Sequence, residues 1–146
     1  MTEVRTRSAG IVVVRGSSAD PRYLLLRAYR YWDFPKGIVA RGEAPLAAAC
    51  REVWEETSLE GLKFPWGKGY RETEVYGDGK VARYYVARAD QGDVVLGVSP
   101  ELGRPEHEEF RWLTYRQARA LLVERVRRIL GWAHGVVTGS NACDPK

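Results

Sequence analysis

Apolar positions in the first third of the chain cluster in runs too short for helices. "AGIVVV" (9–14) and "RYLLLR" (22–27) are rich in β-branched and large aliphatic residues. The turn-forming "GSSADP" lies between them, so the pair reads as a β-hairpin. "YWDFPKGIVARGE" (31–43) carries Gly and Pro and reads as loop with a little strand. From 44 to 59 the spacing turns helical, with Pro45 suited to a first helical position and Gly61 beyond the end.

The second half alternates in the same way. "VARYYVAR" (81–88) predicts a strand after the turn "YGDGK" (76–80), "DVVLGV" (93–98) predicts another, and "EFRWL" (109–113) a short one. Thr114 and Gln117 have the spacing of a capping box. Ala118, Leu121, Leu122, Ile129, Leu130 and Ala133 then recur at helical intervals, predicting one helix to about Ala133. The tail from Gly135 is small and polar and reads as frayed. Strands, helix, strands, helix is the order of an α+β fold with helices packed on a mixed sheet. We expect one domain over 1–135 and a flexible tail over 136–146.

Composition narrows the class. The chain has 146 residues, 45% hydrophobic and 29% charged, which suits one globular domain with a real core. No apolar run approaches the roughly 20 residues of a membrane span, and "MTEVRTRSAG" has no signal-peptide core, so the expected location is cytoplasmic, with no membrane partner. Cys50 and Cys143 are too few for a disulfide framework and have no neighbours at zinc spacing. The net charge of +4, spread over scattered arginines, favours an anionic ligand over a dedicated nucleic-acid groove.

"REVWEE" (51–56) raises the chemical question. At about 100° per residue, Glu52 and Glu56 sit one above the other and Glu55 lies beside them. Like charges so placed repel, unless the face is simply solvated or a cation sits on it. Mg²⁺ and similar hard ions take oxygen ligands of this kind.

In its wider setting, "GIVARGEAPLAAACREVWEETSL" (37–59), the stretch resembles the signature box of the Nudix hydrolases. Gly37, Glu43, Arg51, Glu52, Glu55, Glu56 and Leu59 stand at the box positions; Ser58 stands where the family has glycine. The resemblance implies an α/β/α sandwich, with the box as loop–helix–loop, and a pyrophosphohydrolase that uses Mg²⁺ (or Mn²⁺). It makes Glu52 and Glu56 metal ligands with Glu55 beside them, Gly37 the point where backbone approaches the ion, and Arg51 and Glu43 braces for the glutamates. Which glutamate is the general base stays open.

The flanks, "YWDFPKG" (31–37), "GKVARYYVA" (79–87) and "EHEEFRWL" (106–113), resemble the asymmetrical diadenosine tetraphosphate hydrolases of that family. That resemblance makes Lys36 and Lys80 polyphosphate contacts, Tyr84 a stacking platform for adenine, Glu106 a further metal carboxylate and His107 a substrate contact. Plainer alternatives stand beside each: Tyr84 and Trp32 as core aromatics, Lys36 as a surface lysine, Glu109 in place of Glu106, His107 as a loop hydrogen-bonder. His134, at a helix end, reads as structural. "SPELGRP" (99–105) is longer than the pattern and borders the site. The implied partner is a nucleoside polyphosphate. Alternatives are a triphosphorylated RNA 5′ end, (d)NTPs, diphosphoinositol polyphosphates, or a nucleotide-binding module without catalysis.

Overall fold

The computed structural model describes residues 3–139. The expected hairpin forms from β1 (Thr6–Arg15) and β2 (Arg22–Ala28), paired Val14 to Tyr23 and Arg15 to Arg22. The stretch read as loop with a little strand holds two short strands, β3 (Tyr31–Asp33) and β4 (Lys36–Ile38). Helix α1 (Pro45–Thr57) follows, with Pro45 in its first turn. Next come β5 (Tyr70–Glu72), β6 (Lys80–Arg88), β7 (Val98–Ser99), β8 (Arg104–Pro105), β9 (Glu109–Leu113), α2 (Tyr115–Leu121) and α3 (Glu124–Thr138).

The sheet is mixed. Its path is β3-β2-β1-β6-β5, and β1 and β6 run parallel through nine paired positions, from Thr6 with Lys80 to Val14 with Arg88. β4 joins the start of β1, antiparallel, with Ala9 opposite Gly37; β9 joins β2. β7 and β8 form a separate two-stranded ribbon.

Strand alternation divides the core. Ile11, Val13, Leu24 and Leu26 face α1 through Ala48, Ala49 and Val53. Val12, Val14, Tyr23, Leu25, Tyr84 and Val86 face α2 and α3 through Ala118, Ile129, Leu130 and Ala133. Each large aliphatic side chain so buried contributes about 1.5–3 kcal/mol. The result is the sandwich of helix, sheet and helix.

Four elements differ from expectation. Residues 93–97 are not a strand; only Val98–Ser99 pairs, and Val95 N–H instead donates to Thr57 O at the end of α1. β5 carries no sequence signal, because a three-residue edge strand is too short to show a period. The helix after the capping box breaks: Leu122 and Val123 are extended, and Arg127 caps the opened end of α2 by donating to Arg119 O at 3.0 Å and Leu122 O at 3.0 Å. The last helix also passes Gly135, which is buried with Val137, and ends at Gly139 in the left-handed conformation. The capping box itself is present in both directions, at 3.2 and 3.0 Å. Cys50 is a half-buried free thiol; Cys143 and the rest of the expected tail beyond 139 lie outside the described residues. No helix among the described residues is long and apolar enough to cross a membrane.

Candidate active site

A helix can present three glutamates on one face only if something holds them, and here it is Arg51. Its guanidinium grips Glu43 through two bonds, Nε to Oε2 at 2.8 Å and Nη2 to Oε1 at 3.0 Å. Nη1 donates to Glu52 at 2.9 Å and to Glu55 at 3.2 Å, and Nη2 reaches Ile38 O at 3.2 Å. One planar fork thus ties the loop after β4 to α1, a task suited to arginine's rigid donor array. The bonds from Arg51 and from Ala40 N–H hold the Glu43 carboxyl down to about 2. Sequence reasoning made Arg51 and Glu43 braces for the glutamates; the structure places Arg51 between Glu43, Glu52 and Glu55.

Gly37 lies directly against Glu52. A Cβ at this position would lie 2.0 Å from the Glu52 carboxyl carbon, so any larger residue would have to displace that carboxylate. Glu56, one turn on from Glu52, accepts from Lys36 N–H at 3.2 Å. Burial, and then the Glu52 and Glu106 charges, push Glu56 up to about 9; burial also raises Glu52, although Arg51 pulls the other way. A group of carboxylates that suppress one another's ionisation is an electrostatic demand for a cation. No three His, Cys, Asp or Glu side chains among the described residues are already gathered tightly enough to hold an ion. The carboxylate oxygens of Glu52, Glu55, Glu56 and Glu106, which line one cleft, nevertheless suit a hard divalent ion.

The cleft in front of these residues has a volume of about 680 Å³. Glu52, Glu55, Glu56 and Glu106 line it, as do Lys36, Lys80, Tyr76 and His107. Ser99, Pro100 and Glu101 bring the 99–105 segment to its rim, as the sequence suggested. Burial lowers the His107 pKa, which favours the neutral imidazole. Gly97 has backbone packed on Glu55 O, where a Cβ would not fit, and its N–H donates to Glu56 O at 3.2 Å.

Tyr84 is not in the cleft. The sequence reading placed it as an adenine platform, but it is 1% exposed, on the α3 face of a central strand. Its ring packs edge-on against Phe34 at 5.6 Å, and its hydroxyl donates to Asp33 Oδ1 at 2.9 Å. Asp33 in turn faces Lys36 Nζ at 3.8 Å. Tyr84 is thus linked to Lys36 through Asp33 and does not line the cleft. The aromatic in the cleft is Tyr76, which the sequence reading missed. The "YGDGK" turn was its signal: Tyr76 and Lys80 close that turn by exchanging backbone hydrogen bonds of 2.9 Å in both directions, which sets both side chains on the cleft. Glu109, the rival to Glu106, is held by Arg27 at 3.0 Å and Arg111 at 2.6 Å and is not among the cleft residues. Trp32 packs on the core beneath Arg111. His134 is structural: Tyr115 stacks on it at 4.1 Å, and its Nδ1 bonds the Tyr23 hydroxyl at 2.6 Å.

Ser58 takes the left-handed conformation that its glycine-preferring position calls for, at φ 67°. Its hydroxyl donates to Val95 O at 2.9 Å, tying the end of α1 to the segment that leads to β7.

Comparison with known proteins agrees with this geometry. A family model described as the NUDIX domain matches residues 4–133. The asymmetrical bis(5'-nucleosyl)-tetraphosphatase of Rattus norvegicus is 30% identical over 124 residues, covering 77% of this chain and 81% of its own length. An RNA pyrophosphohydrolase of Psychrobacter cryohalolentis is 28% identical over 98 residues, covering 58% of this chain and 56% of its own. The crystal structure of a C. elegans Ap4A hydrolase binary complex shares the fold, with a TM-score of 0.75 and 24% identity over 92% of this chain and 99% of that one. With the box residues braced as that fold requires and the family model spanning nearly the whole chain, the protein belongs to the Nudix hydrolase family.

Proposed function

We propose that this Nudix pyrophosphohydrolase cleaves diadenosine polyphosphates, converting diadenosine tetraphosphate and water to ATP and AMP. The observation that carries the reading is the composition of the cleft: Glu52, Glu55, Glu56 and Glu106 line it together with Lys36, Lys80 and the Tyr76 ring. A polyphosphate needs both, cations along its free oxygens and a metal-holding acidic face at the phosphorus attacked.

Glu52 and Glu56 would hold Mg²⁺ or Mn²⁺, with Glu55, Glu106 and the backbone at Gly37 beside them. Such an ion screens the chain's negative charge, polarises phosphorus and lowers the pKa of a bound water. Arg51 and Glu43 keep the glutamate rotamers fixed while the substrate enters. Glu106 has no ion pair or hydrogen bond among the described residues, so its carboxylate is free to move towards the cluster. Lys36 and Lys80 orient the polyphosphate, and Tyr76 offers a flat face to an adenine. The proton of the attacking water passes to a cleft carboxylate, and the leaving phosphate departs as the end of ATP or as AMP.

A second reading, removal of pyrophosphate from triphosphorylated RNA 5′ ends, draws on the likeness to RNA pyrophosphohydrolases. Product analysis decides between them. With Mg²⁺ or Mn²⁺, ATP plus AMP from diadenosine tetraphosphate, lost in Glu56→Gln, supports the proposal. Faster turnover of RNA, dNTPs or diphosphoinositol polyphosphates replaces the substrate. Nucleotide binding without turnover of any of these removes catalysis from the reading.

A further inference from the structure

Behind Tyr76 lies a second, smaller cavity of about 160 Å³, lined by Arg71, Glu72, Thr73, Glu74, Arg125, Arg128 and Ile129. Its charges are unevenly satisfied. Glu72 is taken up by Arg7 at 3.2 Å and Arg83 at 2.9 Å, and Glu74 by Arg128 at 3.4 Å. Arg71 and Arg125 have no carboxylate or carbonyl partner among the described residues. Each instead lies over a ring, Arg71 over Trp132 at 5.5 Å and Arg125 over Tyr76 at 3.8 Å. Arg125 is half-buried, and a guanidinium with five unspent donors in such a place is poised for an oxyanion.

Position gives this cavity meaning. Arg125, which lines this cavity, stacks at 3.8 Å on the ring of Tyr76, which lines the catalytic cleft, so the two hollows meet through that pair. Arg125 is also near enough to Asp33 and Tyr84 to act on both electrostatically, so it sits close to the brace beneath Lys36. An anion held by Arg125 would lie close to the Tyr76 ring.

We propose that Arg71 and Arg125 form a phosphoanion subsite behind Tyr76, which holds a phosphate of the bound substrate outside the acidic cleft. The ligand chemistry is a phosphate mono- or diester oxygen. It comes either from the far arm of a dinucleoside polyphosphate or from the backbone of an RNA chain. The proposal rests on the Nudix reading but not on which of these two is the substrate.

The test uses the whole chain in two steps. First, inorganic phosphate is titrated into ¹⁵N-arginine-labelled protein in the presence of a chelator, and the side-chain Nε–H resonances are followed. Saturable shifts at Arg71 and Arg125, weakened about tenfold or more by Arg71→Gln, are expected from the loss of one charge-assisted pair. No shift at either arginine, or shifts unchanged by Arg71→Gln, overturns the subsite. Second, KM and kcat are compared for Arg71→Gln and Arg71→Lys. A KM about tenfold higher for Arg71→Gln, partly restored by lysine and with kcat little changed, supports the proposal. If the rise is seen with diadenosine tetraphosphate, the phosphate belongs to its far arm; if only with a triphosphorylated oligonucleotide, to RNA. An unchanged KM on both substrates overturns it. Absence of turnover on either, with the phosphate shifts intact, would instead count against the catalytic reading and leave the binding result to judge the anion subsite alone.

Discussion

Gly37 and Glu52 fill one space: the carboxylate of Glu52 lies where a side chain at residue 37 would begin. The loop and the helix are thereby fitted to each other to within one methyl group. Gly37→Ala is expected to push the Glu52 carboxylate aside by about an ångström and reduce kcat by about a hundredfold. Steady-state kinetics together with a melting curve check this, and a variant with normal kcat would show that the position of Glu52 is not critical.

The crowded carboxylates predict a dependence on pH in the metal-free protein. Burial and its carboxylate neighbours raise Glu56 in the folded state from an ordinary 4.5 to about 9, so it stabilises the fold most at low pH. As pH climbs through that interval the unfolded chain gives up its proton first, and folding stability falls. Thermal melts in chelator from pH 5 to about 9 should show wild type losing stability and Glu56→Gln losing less. Mg²⁺ should restore the wild type at the upper end and leave Glu56→Gln nearly unchanged. Parallel pH curves for the two proteins would contradict this.

Removing the Tyr84 hydroxyl tests its reassignment from ligand platform to core. Tyr84→Phe deprives Asp33 of one hydrogen bond and is expected to lower stability by about 1–2 kcal/mol. KM for a dinucleotide should remain within about twofold, because no ligand touches the ring. Tyr76→Ala should raise KM by about tenfold, beyond the stability it loses because Tyr76 also packs against the core. Swapped outcomes would return Tyr84 to the cleft.

At Ser58 two small effects oppose each other. A left-handed non-glycine residue carries about 1 kcal/mol of strain, whereas the bond to Val95 O contributes about 0.5–1 kcal/mol. Ser58→Ala keeps the strain and loses the bond, so it should be the less stable of two substitutions. Ser58→Gly should stay within about 1 kcal/mol of wild type. Denaturant unfolding ranks them, and an alanine variant more stable than the glycine one would show the strain to be negligible.

Much of this site could be read along the chain because its parts are close in sequence. Glu52, Glu55 and Glu56 share a helix, and the fork at Arg51 spans only from Ile38 to Glu55. The hairpin and the capping box were equally local. What escaped notice depends on pairing across the fold. β5 exists because β6 offers it an edge, and the break at Leu122 exists because Arg127 folds back to cap it. Tyr84 and Tyr85 are adjacent on one strand, so alternation sends one ring to α3 and the other to the opposite face. Choosing between them as a ligand platform required the sheet, and the sheet rejects Tyr84 because its face is roofed by helix.

The Arg51 fork has an implication for how such a protein diversifies. Every group it joins belongs to 38–55, a single continuous stretch, while Tyr76, Lys80 and the cleft residues of 97–107 come from further along the chain. The brace of the helix glutamates and much of the remaining cleft wall are thus inherited on separate pieces of chain. New substrates can be acquired by redrawing the turn and the ribbon, generation after generation, without disturbing the piece that breaks the anhydride.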